Sequence, residues 1–300
     1  MCRAPHFYLL LLLLFCGTMP ARAWNAAGHR IVAAIAWQEL TPAARLQIAM
    51  VLVAHPEYAR WVKPGTDGQE QAAFIEAGCW PDDIRRDPRF YDEESESPTP
   101  PLPGLADTRR HRRWHYLDLP LEGGGNTGVG ELDRQLPRLL AALSPQRSFA
   151  ERAYALPWVI HLLADVHQPL HVASKGDEGG NRTAINDPFS SRLPESNLHR
   201  WWDDLPGPPW LRDAYLERTV ARLLREYPDP VTTGSVALWL EESRNITRLY
   251  GYPPTVDDPA TITEEFRQQA ERVTRQRLVA AGRRLAAILE RIFSVSRETP

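Results

Sequence analysis

The sequence predicts an all-α fold, organised as a single mainly helical domain. From Asn25 to Leu40 apolar residues recur at helical spacing, and Thr41-Pro42 then supplies a cap and a first-turn proline for the next helix. The same periodicity predicts helices over 25–40, 42–53, 68–79, 129–143, 148–167, 208–227, 233–250 and 262–293. Because no run of alternating apolar and polar residues competes with them, we expect at most a short hairpin in the loops.

Two segments lack this periodicity. Residues 92–107 are acidic and proline-rich, which predicts a solvated loop. Residues 173–196 carry Gly179-Gly180-Asn181 and connect two segments rich in histidine. The chain contains no internal repeat, so the helices are expected to share one core.

The first 23 residues have the pattern of a secretory signal peptide. Arg3 precedes an apolar run from Phe7 to Cys16, and Ala21-Arg22-Ala23 matches an A-x-A cleavage site. A membrane anchor is the alternative, but the run is shorter than the roughly 20 residues that span a bilayer. The sequence therefore predicts a signal peptide over 1–23, a functional domain over 24–300 without a membrane span, and export to the periplasm or the medium.

The charge balance excludes a protein that holds nucleic acid by bulk electrostatics. The formal charge is -3, and removal of Arg3 and Arg22 with the signal peptide makes it -5. Any recognition of phosphate must therefore be local, and bound divalent cations are one way to supply it. Cys79 is the one cysteine after residue 23, so no intrachain disulfide is expected.

Several histidines and carboxylates lie at spacings that a metal ion can use. His161 and Asp165 are four residues apart, as are His199 and Asp203, which places each pair on one face of a helix. His171 follows Asp165 after a Gln-Pro turn. Each pair taken alone is equally consistent with an ion pair on the surface of a helix. Together they suggest ligands that converge from two helices and the turn between them.

Further candidates lie nearer the N-terminus. Asp82 in CWPDDIR and His115 in RRWHYLDLP are either metal ligands or, respectively, a helix-terminal carboxylate and a packed histidine. The sequence WNAAGH adds Trp24, which cleavage would make the N-terminal residue, and His29. Neutral imidazole and carboxylate groups suit zinc, and incomplete protein coordination is typical of catalytic sites.

In this order, the motifs resemble one known family: the zinc-dependent single-strand-specific nucleases of moulds, plants and bacteria, which are related to bacterial zinc phospholipase C. The resemblance rests on WNAAGH, CWPDDIR, WHYLD, HLLADVHQPLH, GGN and NLHRWWD, and it runs from Trp24 to Asp203. It implies a trinuclear zinc cleft in a nuclease domain over residues 24–300.

The resemblance implies three Zn²⁺ ions held by imidazole, carboxylate and N-terminal groups. The implied ligands are Asp82, His115 and His161 for the first zinc; the α-amino group and carbonyl of Trp24 with His29 for the second; and His171, His199 and Asp203 for the third. Asp165 would bridge the first two ions. A water shared by two zincs ionises near neutral pH, which suits attack on phosphorus.

Three other residues match functional positions of the family. Arg85 resembles its transition-state arginine, a fixed charge that neutralises a phosphate oxygen, and joins Asp82 and Asp165 as the implied catalytic set. Tyr116 resembles the ring on which a base stacks, and Asp118 the carboxylate that binds the base edge. Alternatively, Arg85 is a surface arginine, and Tyr116 and Asp118 are a core residue and a cap.

Three functions are open at this point. The first is an endonuclease that hydrolyses P–O3′ bonds of single-stranded RNA and DNA to 5′-nucleotides, with 3′-nucleotidase activity on 3′-nucleotides and no obligate protein partner. The second is a zinc phospholipase C, in which the last zinc ligand is a glutamate where this chain has Asp203. The third is a non-catalytic zinc-binding protein of the cell envelope. Tyr116, Asp118 and Asp203 favour the nuclease.

Overall fold

The computed structural model describes residues 24–294 except 63–64, 66, 123–127, 192–193, 230–233 and 256. Its fold is all-α, as the sequence predicts, and each of the eight predicted helices is present with shifts of a few residues at the ends. The predicted signal peptide lies outside the described residues, so its boundary stays a prediction.

Twelve α-helices are found within the described ranges. They are α1 (Ala26–Glu39), α2 (Pro42–Val53), α3 (Tyr58–Trp61), α4 (Gln69–Ala77), α5 (Trp80–Asp83), α6 (Leu132–Ala142), α7 (Phe149–Asp165), α8 (Pro169–Val172), α9 (Leu198–Asp204), α10 (Asp213–Glu226), α11 (Val236–Tyr250) and α12 (Glu264–Phe293). Short 3₁₀ turns cover Ile84–Arg86 and Arg112–His115. The four-residue helices are additions to the predicted set, because their few residues give no periodic pattern. Helix α9 lies outside the predicted ranges, but the spacing of His199 and Asp203 indicates it.

Helices α1 and α7 form the centre of the molecule. Every residue of α1 from Ala27 to Trp37 is buried, and so is every residue of α7 from Arg152 to Asp165. A helix that is covered on all sides must lie inside the fold rather than along its surface. The N-terminal end of α1 and the C-terminal end of α7 carry His29, His161 and Asp165, so the two most deeply buried helices position these side chains.

The long helix α12 packs closely on α1. At Gly282 an added Cβ atom would lie 2.5 Å from the Ile35 side chain, so only glycine allows this approach of the two helices. Helix α7 begins with a capping box, in which the Ser148 hydroxyl accepts from the Glu151 amide and the Glu151 carboxylate accepts from the Ser148 amide. The Gly282 contact holds α1, which carries His29 near its start. The capping box holds the beginning of α7, which carries His161 near its end.

Short strands hold the loops around the histidines. Strand β1 (Leu119–Pro120) pairs in parallel with β2 (Ala173–Ser174). Strand β3 (Ala184–Asn186) pairs antiparallel with β4 (Glu195–Asn197) and in parallel with β5 (Ala260–Thr261). The β3–β4 pair is the short hairpin that was expected, and all of it except Asn197 lies in the irregular stretch 173–196.

The acidic, proline-rich loop lies mostly at the surface. Residues 93–101 of the acidic, proline-rich loop are exposed or half-buried, whereas Asp92 at its start is buried. Cys79 is buried and unbridged. Over the described part of the chain, no helix combines the length and the apolar character needed to cross a bilayer.

Candidate metal centre

The structure brings eight predicted side chains together in three adjoining groups, each compact enough to hold one cation. Within each group the ligand atoms lie within 4.8 Å of one another. The groups are Asp82, His115 and His161; His29, His161 and Asp165; and His171, His199 and Asp203.

The tightest part of the centre is a triangle of three buried atoms. His115 Nδ1 lies 2.9 Å from His161 Nε2, and Asp165 Oδ2 lies 3.2 Å from each of them. Ligand atoms about 2.0–2.1 Å from a tetrahedral zinc are separated by about 3.3 Å. Asp82 Oδ1 lies 3.9 Å from both ring nitrogens and forms the open side of the group.

Asp165 faces two groups with its two oxygens. While Oδ2 meets His115 and His161, Oδ1 lies 3.6 Å from His29 Nε2 and 3.9 Å from His171 Nδ1. The carboxylate is fully buried. This is the geometry of a carboxylate that can contact two cations at once.

The third group lies at the start of helix α9. His199 Nε2 is 3.4 Å from Asp203 Oδ2, and His171 Nε2 is 3.8 Å from Asp203 Oδ1. Gln168 donates a 2.8 Å hydrogen bond to Asp203 Oδ1 and so fixes the carboxylate. The sequence shows Gln168 only as part of a turn, and its contact with Asp203 arises from tertiary packing.

Backbone carbonyls set the orientation of three imidazole rings. A carbonyl only accepts hydrogen bonds, so the Nδ1 atom that contacts it carries the proton and leaves Nε2 as the atom that can bind a metal. The three pairs are His161 with Gly78, His199 with Gly179 and His171 with His115, at 2.8, 2.7 and 2.7 Å. These carbonyl partners have no side-chain signature in the sequence.

The polar atoms left over in the centre fit a cation. Among the described residues, His29 Nε2, Asp82 Oδ1, Asp165 Oδ1 and Asp203 Oδ2 face these groups and are buried without a hydrogen-bond partner. Such groups are costly to bury unless something satisfies them. Imidazole nitrogens and carboxylate oxygens together make a donor set for a divalent transition metal such as zinc.

Burial and neighbouring charges shift the pKa values of these groups in both directions. Burial lowers the pKa of His29 and of His115, which favours the neutral rings. Burial alone would raise the pKa of Asp165, but the facing His161 and His171 hold it well below its ordinary value. Burial raises the pKa of Asp203, where a bound cation would have the opposite effect.

Trp24 is anchored against the same centre. Its side chain is fully buried, and its indole Nε1 donates to the carbonyl of Ala164, the residue before Asp165, at 3.2 Å. The next residue, Asn25, donates its amide hydrogen to the carbonyl of Asp203 at 3.1 Å. The start of the predicted mature chain is therefore tied to both carboxylate-bearing helices, α7 and α9.

The three remaining predicted residues border the centre. Arg85 is nearly buried, and its Nε lies 3.2 Å from Asp82 Oδ1. Tyr116 directly follows His115 and is half-buried. Asp118 is half-buried in a left-handed backbone conformation, with φ of 59°, which Asp tolerates better than most residues. The Ser174 side chain donates a hydrogen bond to the Asp118 carboxylate. Among the described residues, Oδ1 of Asp118 has no hydrogen-bond partner.

The comparison with known proteins decides the family. The S1/P1 Nuclease family model matches residues 24–294. The chain belongs to the S1/P1 nuclease family. Endonuclease 1 of Arabidopsis thaliana is 26% identical over 307 residues, which cover 95% of this chain and 92% of that protein. Endonuclease 3 of the same plant is 29% identical over 299 residues, which cover 93% and 92%. Endonuclease 4 is 30% identical over 156 residues, 47% of this chain and 50% of that protein.

The family resemblance seen in the motifs is thus confirmed, and the chain is a nuclease, a hydrolase of phosphodiester bonds. Nucleases of this family depend on metal ions. The three His/Asp groups are where such ions fit in this chain.

Three other histidines of the nuclease are buried, although the sequence suggests surface positions for two of them. His55 and His111 look like surface residues and are 2% and 4% exposed. His167, for which the sequence leaves a supporting or an exposed position open, is fully buried, with Nδ1 on the Leu163 carbonyl and Nε2 near Arg284. All three are buried because distant segments pack over them, which residue spacing does not reveal.

His111 fixes the turn that leads to His115. Its ring stacks on Trp114 at a centroid distance of 3.6 Å, and its Nε2 lies 3.0 Å from Asp107 Oδ1. Glu93 Oε1 lies 3.6 Å from its Nδ1. Its backbone is left-handed, with φ of 47°. Burial alone would lower the pKa of His111, but Asp107 and Glu93 outweigh burial and raise it.

We predict that replacement of His111 by Asn, which tolerates the left-handed backbone, costs more stability in acid than in base. Because the folded pKa of His111 is raised, its charged form stabilises the protein below the unfolded value of about 6.5, and this stabilisation is lost as pH rises through the folded value. Urea unfolding at about pH 5.5 and about pH 8.5 measures the difference from the wild type.

His55→Asn is the control of opposite sign. Burial lowers the pKa of His55 to about 4, so its neutral form contributes stability above about pH 6.5 and loses that contribution as pH falls. Equal losses at both pH values for His111→Asn would contradict the charged contact with Asp107 and Glu93.

Proposed function

We propose that this chain is an exported endonuclease that hydrolyses P–O3′ bonds of single-stranded RNA and DNA to 5′-nucleotides, with 3′-nucleotidase activity. The observation that carries the proposal is Asp165, a buried carboxylate whose two oxygens face two separate groups of imidazole nitrogens. This arrangement suits a pair of close cations, which together can stabilise the attacking and leaving oxygens of an in-line displacement at phosphorus.

The proposed assignment uses three zinc ions. The first would be held by Asp82, His115 and His161; the second by His29 with the α-amino group and carbonyl of Trp24; and the third by His171, His199 and Asp203. Asp165 would bridge the first two. The short distances between ring nitrogens and carboxylate oxygens support the side-chain members of these groups.

The chemistry divides between the cations and the protein. Bound zinc supplies Lewis acidity, which lowers the pKa of water and stabilises oxygens that gain charge. Asp82 and Asp165 fix the positions of the ligand groups around the substrate phosphate. The Arg85 guanidinium beside Asp82 binds a non-bridging phosphate oxygen and neutralises the charge that grows there.

Single-strand preference is assigned to Tyr116 and Asp118. A half-buried tyrosine beside His115 offers a ring face to an unstacked base, which a duplex does not present without being opened. The partnerless Oδ1 of Asp118 is an acceptor for amino or imino groups of the base edge. Burial raises the pKa of Asp118, and contact with such a donor would favour its ionised form.

Export and catalysis are linked in this proposal. Removal of residues 1–23 by signal cleavage would create the free α-amino group at Trp24, whose lone pair can bind zinc, whereas the nitrogen of a peptide bond at the same position cannot. The fully buried Trp24 side chain and the hydrogen bond from Asn25 to Asp203 support a fixed position for this terminus.

The function is tested by an assay of the purified mature protein on single-stranded DNA, single-stranded RNA, duplex DNA, 3′-AMP and phosphatidylcholine. We expect cleavage of both single strands to products with 5′-phosphates, release of phosphate from 3′-AMP, and much slower cleavage of the duplex. A chelator should abolish these activities and zinc should restore them. Release of diacylglycerol without nucleotide products would instead establish a phospholipase C.

Arg85→Ala should lower kcat about 10²- to 10³-fold, as expected for loss of one donor to the transition state, while the zinc content stays that of the wild type. Arg86→Ala is the matched control, because Arg86 is the next residue on the same turn and is exposed. Equal kcat values for the two variants would contradict the role of Arg85.

A protein that begins with one extra residue before Trp24 should lose the second zinc and most of its activity, because the α-amino group is then a peptide nitrogen. The same single-residue addition at the C-terminus serves as the control. Zinc analysis and kcat on single-stranded DNA are the two measurements. Full zinc content together with full activity in the N-terminally extended protein would refute Trp24 as a ligand.

A further inference from the structure

Helix α10 exposes a stripe of one aromatic ring and three guanidinium groups. Tyr215, Arg218, Arg222 and Arg225 follow one another at intervals of three or four residues, which places them on one face of the helix. All four are exposed, whereas the opposite face is buried against the core. Tyr215 is 71% exposed, and the guanidinium carbon of Arg218 lies 4.5 Å from its ring centroid. The stripe is not needed for packing.

A second aromatic ring precedes the stripe. Trp210 is 63% exposed in the loop between α9 and α10, a large apolar surface for a single side chain. The loop around it is held in place, because Arg30 donates to the Pro209 carbonyl at 2.7 Å and Arg212 pairs with Glu76 at 2.9 Å. Trp210 is therefore presented on a fixed backbone.

This surface begins beside the metal centre. The loop leaves α9 directly after Asp203, and Asn25, next to Trp24, donates to the Gly207 carbonyl at 2.7 Å. Helix α10 then runs in the same direction as α1, since Arg30 near the start of α1 contacts the residue before Trp210. The stripe therefore leads away from the centre over a helix of 14 residues, about 21 Å long.

The opposite ends of α1 and α10 are also close to each other. Arg283 donates to the carbonyl of Tyr227 at the end of α10, and it lies 3.5 Å from Glu39 at the end of α1. The two helices are thus aligned along their whole length. Contacts at both ends of α10 therefore define the direction of the stripe.

The stripe is a local strip of positive charge on a helix that is neutral overall. Helix α10 carries Arg218, Arg222 and Arg225 and also three exposed carboxylates, those of Asp213, Glu217 and Glu226. Within the described residues none of these three arginines forms an ion pair, and the neighbouring carboxylate of Glu226 pairs with Arg275 instead. Unneutralised cations interleaved with exposed rings are the pattern that binds single-stranded nucleic acid.

We infer that Trp210 and the stripe from Tyr215 to Arg225 form a platform for the part of a single strand that extends beyond the cleaved nucleotides. Bases stack on Trp210 and Tyr215, and the phosphates between them contact Arg218 and Arg222. The inference rests on the proposed nuclease function and extends it, because it makes catalytic efficiency depend on strand length. Cleavage of a dinucleotide does not use the platform.

The test compares two substrates with the zinc-loaded double variant Trp210→Ala/Tyr215→Ala. For single-stranded DNA of about 20 nucleotides, kcat/KM should fall about tenfold or more for each lost stacking contact. For a dinucleoside monophosphate it should stay at the wild-type value. Both side chains are largely exposed, so the variant should keep the wild-type melting temperature.

Phe149→Ala is the matched control. Phe149 is 50% exposed and carries Arg152 over its ring at 5.5 Å, so it is an aromatic–arginine pair like Tyr215 with Arg218. It begins helix α7, twelve residues and about 18 Å before His161, away from the centre. This variant should cleave both substrates at wild-type rates. Wild-type efficiency of the double variant on the long strand would overturn the platform.

The arginines have a separate readout. In Arg218→Gln/Arg222→Gln the slope of log(kcat/KM) for the long strand against log salt concentration should become shallower by about 1.4, or about 0.7 for each lost phosphate contact. An unchanged slope would contradict those two contacts.

If the wild type cleaves neither substrate, the nuclease proposal fails. Fluorescence anisotropy of a labelled long strand then tests the platform by itself, because loss of affinity in Trp210→Ala/Tyr215→Ala supports it and unchanged affinity refutes it.

Discussion

The structure depends most on Asp165, a fully buried carboxylate that ends the central helix α7. Its oxygens lie 3.2 to 3.6 Å from three imidazole rings that come from α1, from the turn before Tyr116 and from α7 itself. A buried carboxylate is costly unless cations or hydrogen-bond donors surround it. The burial of α1 and α7 on all sides and the hydrogen bonds that orient the rings serve this arrangement.

The rest of the centre is assembled around the same point by short contacts between distant segments. The parallel pair of β1 and β2 places Asp118 beside Ser174, while the His171 ring donates to the His115 carbonyl. The group with His171 is thereby linked to the group with His115 through main-chain atoms, namely the β1–β2 pairing and the His115 carbonyl. Tyr116 and Asp118 lie at this junction, to which the proposed function assigns the base.

Much of this could be predicted from the sequence, for identifiable physical reasons. Helical periodicity locates the long helices, and the i, i+4 spacing of His161 with Asp165 and of His199 with Asp203 follows from helix geometry alone. Thr41 caps α2 as its sequence indicates, and its hydroxyl accepts from the Ala44 amide at 3.3 Å. Such features depend on residues that are close together in the chain.

What the sequence does not reveal depends on packing between distant segments. His111 is enclosed partly by distant residues, because Trp158 of α7 lies 5.7 Å from its ring and Glu93 lies 3.6 Å from its Nδ1. The contact of Gln168 with Asp203 spans 35 residues, and the carbonyls of Gly78 and Gly179 that orient two imidazoles leave no side-chain signature. The platform on α10 was also not evident, because exposure of Trp210 is a tertiary property.

The central claim is that Asp165 bridges two metal ions, and metal analysis of purified variants tests it most directly. The account predicts three zinc ions per chain in the wild type, about two in Asp203→Ala and about one in Asp165→Ala, because only the bridging carboxylate serves two ions. Three zinc ions in a folded Asp165→Ala protein would contradict the account.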